Sequence, residues 1–161
     1  MTDTAVPAAT SDNAGVRFPP PFLYVIVFGI ALLLNWLVPL ATLPLTFGRV
    51  AALALVLAGV LLMIWSNVLF RRAHTSLVPV KPSSALVTDG VYRLTRNPMY
   101  LGLLLVYLAA ALWFSIIWAL ILAPLLVVAM QRMVIGKEER YLERRFGDEY
   151  RQYRAQVRRW I

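Results

Sequence analysis

Three long stretches of the chain carry no charged side chain: Phe18 to Gly48, Val50 to Phe70 and Asn97 to Gln131. A helix that crosses about 30 Å of hydrocarbon needs roughly 20 mostly apolar residues. Pro21 to Leu43 and Val50 to Phe70 therefore each predict one spanning helix. Asn35 and Trp36 fall in the middle of the first, and Ser66 and Asn67 near the end of the second, where a partner helix or the interface satisfies such groups. Met99 to Met130 would measure roughly 50 Å as a single helix at ~1.5 Å per residue, too long for one crossing. It is expected to fold back around Trp113 to Ser115 into two short crossings joined by an uncharged connection. The pattern predicts an all-α integral membrane protein of about four transmembrane helices. Residues 1–18 precede the spans, 19–70 hold the first two, and 71–161 hold the last two together with nearly all the polar chemistry.

The polar positions gather in two pieces, Arg71 to Asn97 and Gln131 to Ile161. In the first, Asp89-Gly90 reads as a turn, and Asn97-Pro98 as an N-cap followed by proline at the first helical position. Such a helix start presents a partial positive charge that suits a carboxylate or phosphate, and Arg96 adds a full charge beside it. In the second, Leu142, Phe146, Tyr150, Tyr153, Val157 and Trp160 recur at steps of three or four, which is a helical stripe. Gly147-Asp148 reads as a helix stop and a new N-cap within it. The plainest reading is an amphipathic helix lying on the membrane with its aromatics at headgroup depth.

Composition agrees. Of 161 residues 60% are hydrophobic and only 15% charged, against about 25% in a soluble domain, and the mean hydropathy is +0.69; an ordinary globular enzyme is excluded. Without cysteine there is no disulfide framework and no thiolate nucleophile or metal ligand. His74 is the single histidine, so no metal site is expected. The net charge of +8 sits unevenly: Arg71, Arg72, Lys81, Arg93 and Arg96 lie between spans two and three, and nine of the sixteen basic residues follow span four. The positive-inside rule places both segments, and with them both termini, in the cytoplasm, with Arg49 on the far side. The basic tail is then expected to face anionic headgroups rather than nucleic acid. The Met1 to Gly15 leader reads as disordered, and Asp3 and Asp12 ahead of a long apolar run make it a poor signal peptide. No Asp, Glu, Lys, Arg or His lies within the predicted spans, which argues against a transporter.

Glu138 and Glu139 are adjacent, about 100° apart on a helix, so they are not a paired acid/base site of the glycosidase kind. Either they are solvated carboxylates balancing nearby arginines, or one faces a pocket.

The run LVTDGVYRLTRNPMYLG, followed after an apolar hairpin by EERYLERRFGDEYRQYRAQVRRW, resembles the integral-membrane methyltransferases that include isoprenylcysteine carboxyl methyltransferases and phospholipid N-methyltransferases. The resemblance covers about Thr75 to Ile161. It implies that S-adenosylmethionine binds between the loop before span three and the helix extending from span four, in a pocket formed by the cytoplasmic loop and the C-terminal amphipathic helices. The family does not use the Rossmann fold, whose glycine pattern is absent here. Carried over position by position, the resemblance assigns cofactor binding to Leu86, Val87, Thr88, Gly90, Tyr92, Arg96, Asn97, Pro98, Tyr100, Leu101, Gly102, Glu138 and Glu139. Catalytic roles fall to Glu139, Arg144 and Asn97. The family's usual Arg-His-Pro-x-Tyr stands here as Arg96-Asn97-Pro98-Met99-Tyr100, and asparagine cannot exchange a proton near pH 7; Asn97 is therefore for binding and shaping. Methyl transfer from a sulfonium is governed by positioning. The implied acceptor is lipid-like, an isoprenylcysteine-type carboxylate, oriented by Arg144 or Arg145, being favoured over a phospholipid-type amine. The competing reading is a membrane scaffold that keeps the fold without the reaction. On the catalytic reading, Glu139→Gln is expected to weaken cofactor binding without unfolding the chain, and Arg158→Ala to alter the docking of the tail.

Overall fold

The computed structural model describes residues 19–40, 45–74 and 85–161; the leader and Lys81 lie outside them. All the regular structure among the described residues is helical, with no strand. Helix α1 spans Pro21–Leu37, α2 Leu45–Arg72, α3 Pro98–Trp113, α4 Ile117–Met130, α5 Gly136–Phe146 and α6 Asp148–Gln156. A 3-10 turn at Gly90–Arg93 precedes α3, and a π-helical segment, Gln131–Ile135, joins α4 to α5.

Sequence chemistry accounts for the boundaries. α1 starts with proline in its first turn, where the missing N–H costs nothing. It ends at Leu37, six residues short of the expected Leu43, because Val38 precedes Pro39 and the residue before proline is pushed out of helical geometry. Asn35 and Trp36 thus lie in its last turn rather than mid-span. The fold-back appears where the length argument placed it, with α3 ending at Trp113 and α4 starting at Ile117. Asn97 is the N-cap of α3 and Pro98 its first residue.

α2 and α3 run antiparallel in close contact. A Cβ added at Gly59 would lie 2.7 Å from the Gly102 carbonyl oxygen, and one added at Gly102 would lie 2.7 Å from that of Gly59. Both glycines are therefore required by backbone approach, as at small-residue crossings of membrane helices. α1 packs on α3 and α4. The Tyr24 hydroxyl donates to the Tyr100 carbonyl at 2.9 Å near one end, and Trp118 Nε1 donates to the Val38 carbonyl at 2.8 Å near the other. Between them the Tyr107 ring meets Phe28 edge-on, with centroids 5.5 Å apart. The four helices alternate in direction. This places α2's C-terminus, the starts of α1 and α3, and all of α5 and α6 at one polar end, while Arg49 lies at the other, over the Trp113 ring.

Among the described residues, two helices are long and apolar enough to cross a membrane: α2 from Gly48, and the continuous helix Ile117–Phe146. α1 and α3, at 17 and 16 residues, are shorter. Val25, Ile26, Leu53, Leu57, Leu61, Ile64 and Leu125 are all more than half exposed. A soluble protein would not leave so large an apolar surface open to water, whereas hydrocarbon covers it without cost. In contrast, the C-terminal stripe faces protein. Tyr150 and Tyr153 are buried with Val91 and Tyr92, and Leu142, Phe146 and Val157 pack against that cluster. The helices instead fold over the polar end of the bundle because their aromatics find protein partners there. The break between them is at Gly147 (φ +54°), a conformation that glycine adopts readily. Gly147, rather than Asp148, is the N-cap of α6, since the Asp148 carboxylate turns to Arg151.

The glycine crossing yields a stability prediction. Gly102→Ala should lower the unfolding free energy by about 2 kcal/mol or more through overpacking, while Gly29→Ala, with open space around its position, should be neutral or slightly stabilising. Thermal melts of both variants in detergent check this; equal midpoints would mean that the close approach is not a constraint.

Candidate functional site

The polar end is built from two sequence segments brought together by the helix hairpin α3–α4. The loop before α3 supplies Thr95, Arg96 and Asn97, α3 supplies Tyr100, and α5 supplies Glu138 and Glu139. The π-helical segment just before α5 shifts the rotational phase of the helix that follows, and such segments recur at functional sites. It delivers both glutamates inward: Glu139 is buried and Glu138 half-buried.

Glu139 is held by two guanidinium groups. Arg159 donates from Nε to Oε1 at 2.9 Å and from a terminal nitrogen to Oε2 at 2.5 Å, a bidentate pair of the strong kind. Arg96 contacts Oε1 at 3.0 Å and also donates to the Tyr150 hydroxyl at 3.1 Å. The pairing raises the Arg159 pKa further above its usual range, through the hydrogen bonds to Glu139 first and its charge next.

Backbone at the chain's end completes the arrangement. The Arg159 carbonyl accepts from Thr95 Oγ1 at 3.1 Å and from Asn97 Nδ2 at 3.0 Å, and the Arg158 carbonyl accepts from the Arg96 N–H at 3.0 Å. The Asn97 side chain therefore does not cap α3, although Asn97 occupies the cap position; the Arg159 carbonyl takes its amide instead. Tyr153 donates to the Tyr92 carbonyl at 2.7 Å, tying α6 to the 3-10 turn.

Glu138 accepts from the Tyr100 hydroxyl at 2.5 Å. It lies beyond the apolar part of the Ile117–Phe146 helix, which ends at Ile135. Its pKa is raised to about 7: desolvation is the main cause, the Tyr100 hydrogen bond opposes it, and the neighbouring Glu139 charge adds to it. Burial also pushes the Tyr92, Tyr150 and Tyr153 hydroxyls up, so these remain neutral. Among the described residues, four buried polar atoms have no hydrogen-bond partner, Ser66 Oγ, Ser115 Oγ, Arg96 Nε and Trp160 Nε1, and Arg96 Nε belongs to this cluster.

The structure gathers Tyr92, Arg96, Asn97, Pro98, Tyr100, Glu138 and Glu139 at this end. Leu86 and Val87 pack half-buried beside the Tyr92–Tyr150 cluster, with Thr88 following and Gly90 opening the 3-10 turn. Leu101 is half-buried on α3. Gly102 sits in the α2 crossing, where its lack of a side chain serves packing. Arg144 is exposed on α5 and forms no ion pair with the cluster. Sequence reasoning passed over the roles of Arg159, Thr95 and the Tyr150 hydroxyl. Arg159 lies 20 residues from Glu139, beyond a helix break, and no local spacing rule links the two. Nor do the expectations for Glu139→Gln and Arg158→Ala survive this geometry. Removing the Glu139 charge leaves Arg96 buried without its counter-ion, which is strongly destabilising, whereas Arg158 contributes only its backbone carbonyl and its residue is exposed.

The family model described as phospholipid methyltransferase matches residues 47–149. An uncharacterized protein of Haemophilus influenzae is 48% identical over 65 residues, which is 39% of this chain and 100% of that protein. The protein-S-isoprenylcysteine O-methyltransferase of Schizosaccharomyces pombe is 36% identical over 72 residues, 45% of this chain and 30% of the yeast protein. No solved structure matches. With the family match running through α2, α3, α4 and α5 and ending inside α6, the chain belongs to the phospholipid methyltransferase family.

Proposed function

We propose that this chain is an S-adenosylmethionine-dependent integral-membrane methyltransferase acting on a lipid-like acceptor, with four crossings and both termini in the cytoplasm. The carrying observation is the convergence of Arg96, Asn97 and Tyr100 with Glu138 and Glu139, from segments about 40 residues apart, at the polar end of an apolar bundle. α1 and α3 would each cover about 25 Å at ~1.5 Å per residue, enough for a crossing if the flanking tyrosines and tryptophans sit at the interface.

The residues fit the cofactor. Arg96 Nε is a buried donor without an acceptor, suited to a carboxylate, and Glu138 is a half-buried carboxyl suited to an ammonium group or ribose hydroxyls. When bound, S-adenosylmethionine supplies an electrophilic methyl group on a sulfonium. The chain's own part is to position and to exclude water. Tyr92 and Tyr100 offer ring faces for a cation. Asn97, its amide committed to the Arg159 carbonyl, holds the tail in place and moves no proton. A carboxylate acceptor, the preferred reading and the one that the named yeast relative's chemistry favours, is already ionised and needs no base. The exposed Arg144 is left without a catalytic role. A phospholipid-type amine is the second reading, favoured by Glu138, whose pKa of about 7 suits it to take up the ammonium proton.

Calorimetric titration of S-adenosylmethionine and S-adenosylhomocysteine into the purified protein tests the proposal, with Glu138→Ala as the control. Saturable binding weakened at least about tenfold in the control supports it, by loss of a charge-assisted contact. A folded wild type that binds neither compound is a scaffold.

The Glu138 pKa predicts a pH dependence. Its folded value lies above the ordinary 4.5, so the native state holds this proton more tightly than the unfolded chain. The resulting stability is full below about pH 4.5 and is lost as pH rises through about 7. Melts at pH 5 and pH 8 should differ by up to about 3 kcal/mol more in the wild type than in Glu138→Gln. Parallel pH profiles would show that Glu138 is not desolvated.

A further inference from the structure

On the polar side of the Gly59–Gly102 contact, an open groove of about 370 Å³ runs along α2 and the start of α3. It is lined by Met63, Ile64, Asn67, Val68, Arg71 and Met99. Its position follows from helix geometry: Met63 and Asn67 lie one and two turns beyond Gly59 on the same face of α2, and Met99 lies one turn before Gly102. Four linings are apolar, and the two polar ones stand together at the charged end. No acidic residue lines the cavity, and Arg71 is its single cation. The guanidinium is oriented by its Nε, which donates to Asn67 Oδ1 at 3.0 Å; its terminal nitrogens have no partner among the described residues.

We propose that this groove seats an anionic amphiphile of the bilayer, with a hydrocarbon chain along Met63, Ile64, Val68 and Met99 and its anionic group on Arg71. The groove is continuous with the exposed apolar face of α2, where Leu57, Leu61 and Ile64 are each more than half exposed. A chain lying in it therefore remains within the hydrocarbon layer, and a water-soluble anion would leave the apolar lining unused. Methionine at two of the four apolar positions adapts to a flexible chain. Arg71 occupies the last turn of α2, where a long cationic side chain reaches the interface and anionic headgroups collect. Met99 immediately precedes Tyr100, so a seated amphiphile lies beside the proposed cofactor site. The seat itself does not depend on that proposal.

Photolabelling of the full chain in lipid nanodiscs tests it. The probes are phosphatidylglycerol and phosphatidylcholine, each carrying a diazirine in one acyl chain, and labelled peptides are mapped by mass spectrometry. Phosphatidylglycerol should label the segments holding Met63 and Met99 in preference to phosphatidylcholine. Arg71→Gln should remove about fivefold to tenfold of that preference, the loss of one charge-assisted contact. Val68→Trp should suppress labelling by both lipids, with an unchanged melting temperature showing that the fold is intact. Equal labelling by the two lipids, an unaffected Arg71→Gln, or labelling spread evenly over α2 would overturn the proposal. So would loss of the preference in excess glycerol phosphate, which would make a free anion the ligand. Because labelling needs no cofactor, its failure is distinct from a failure of cofactor binding.

Discussion

Everything at the polar end depends on the carboxylate of Glu139 lying between two arginines. Charge this deep is costly unless it is paired and hydrogen-bonded, and one carboxylate here faces Arg96 from the loop before α3 and Arg159 from the chain's last residues. Three remote segments are thereby fixed to one another. The Arg159 carbonyl then has both the Thr95 hydroxyl and the Asn97 amide as donors, so the Asn97 side chain ties the start of α3 to the chain's last residues.

The bundle makes that convergence possible. Gly59 and Gly102 let two backbones touch, which fixes where α3 begins relative to the end of α2. The turn at Phe114 to Ile116 then sends α4 back along α3. Near the end of the return, the π-helical segment at Gln131–Ile135 re-aims the helix, so that Glu138 meets Tyr100 while Glu139 meets Arg96. The adjacent carboxyls thereby acquire different surroundings, one half-buried against a phenol and the other clasped by guanidiniums. Two carboxylates of one sequence motif can then serve separate tasks.

Much of this was legible from residues. Length and missing charge gave α2, the fold-back at Trp113 and the start of α3 at Pro98, because these follow from helix rise and proline chemistry. Local motif order pointed to Arg96, Tyr100, Glu138 and Glu139. What escaped was set by tertiary packing. The aromatic stripe from Leu142 to Trp160 has the same spacing whether it faces lipid or protein, and only the presence of Val91 and Tyr92 opposite it decides between the two. α1 ended early at Val38 through the proline that follows, a rule available in the sequence but outweighed there by the apolar run. The reach of Arg159 back to Glu139 crosses the Gly147 break, and no periodicity encodes it.

A double-mutant cycle between Glu139 and Arg159 tests the clasp most directly, using Glu139→Gln, Arg159→Met and the double variant, with unfolding followed thermally in detergent. A coupling free energy of about 1 kcal/mol or more is expected for a bidentate charge pair in contact, with the carboxylate buried and the guanidinium partly exposed. Additive effects, with coupling within about 0.3 kcal/mol of zero, would contradict it and leave the chain's end as a peripheral tail.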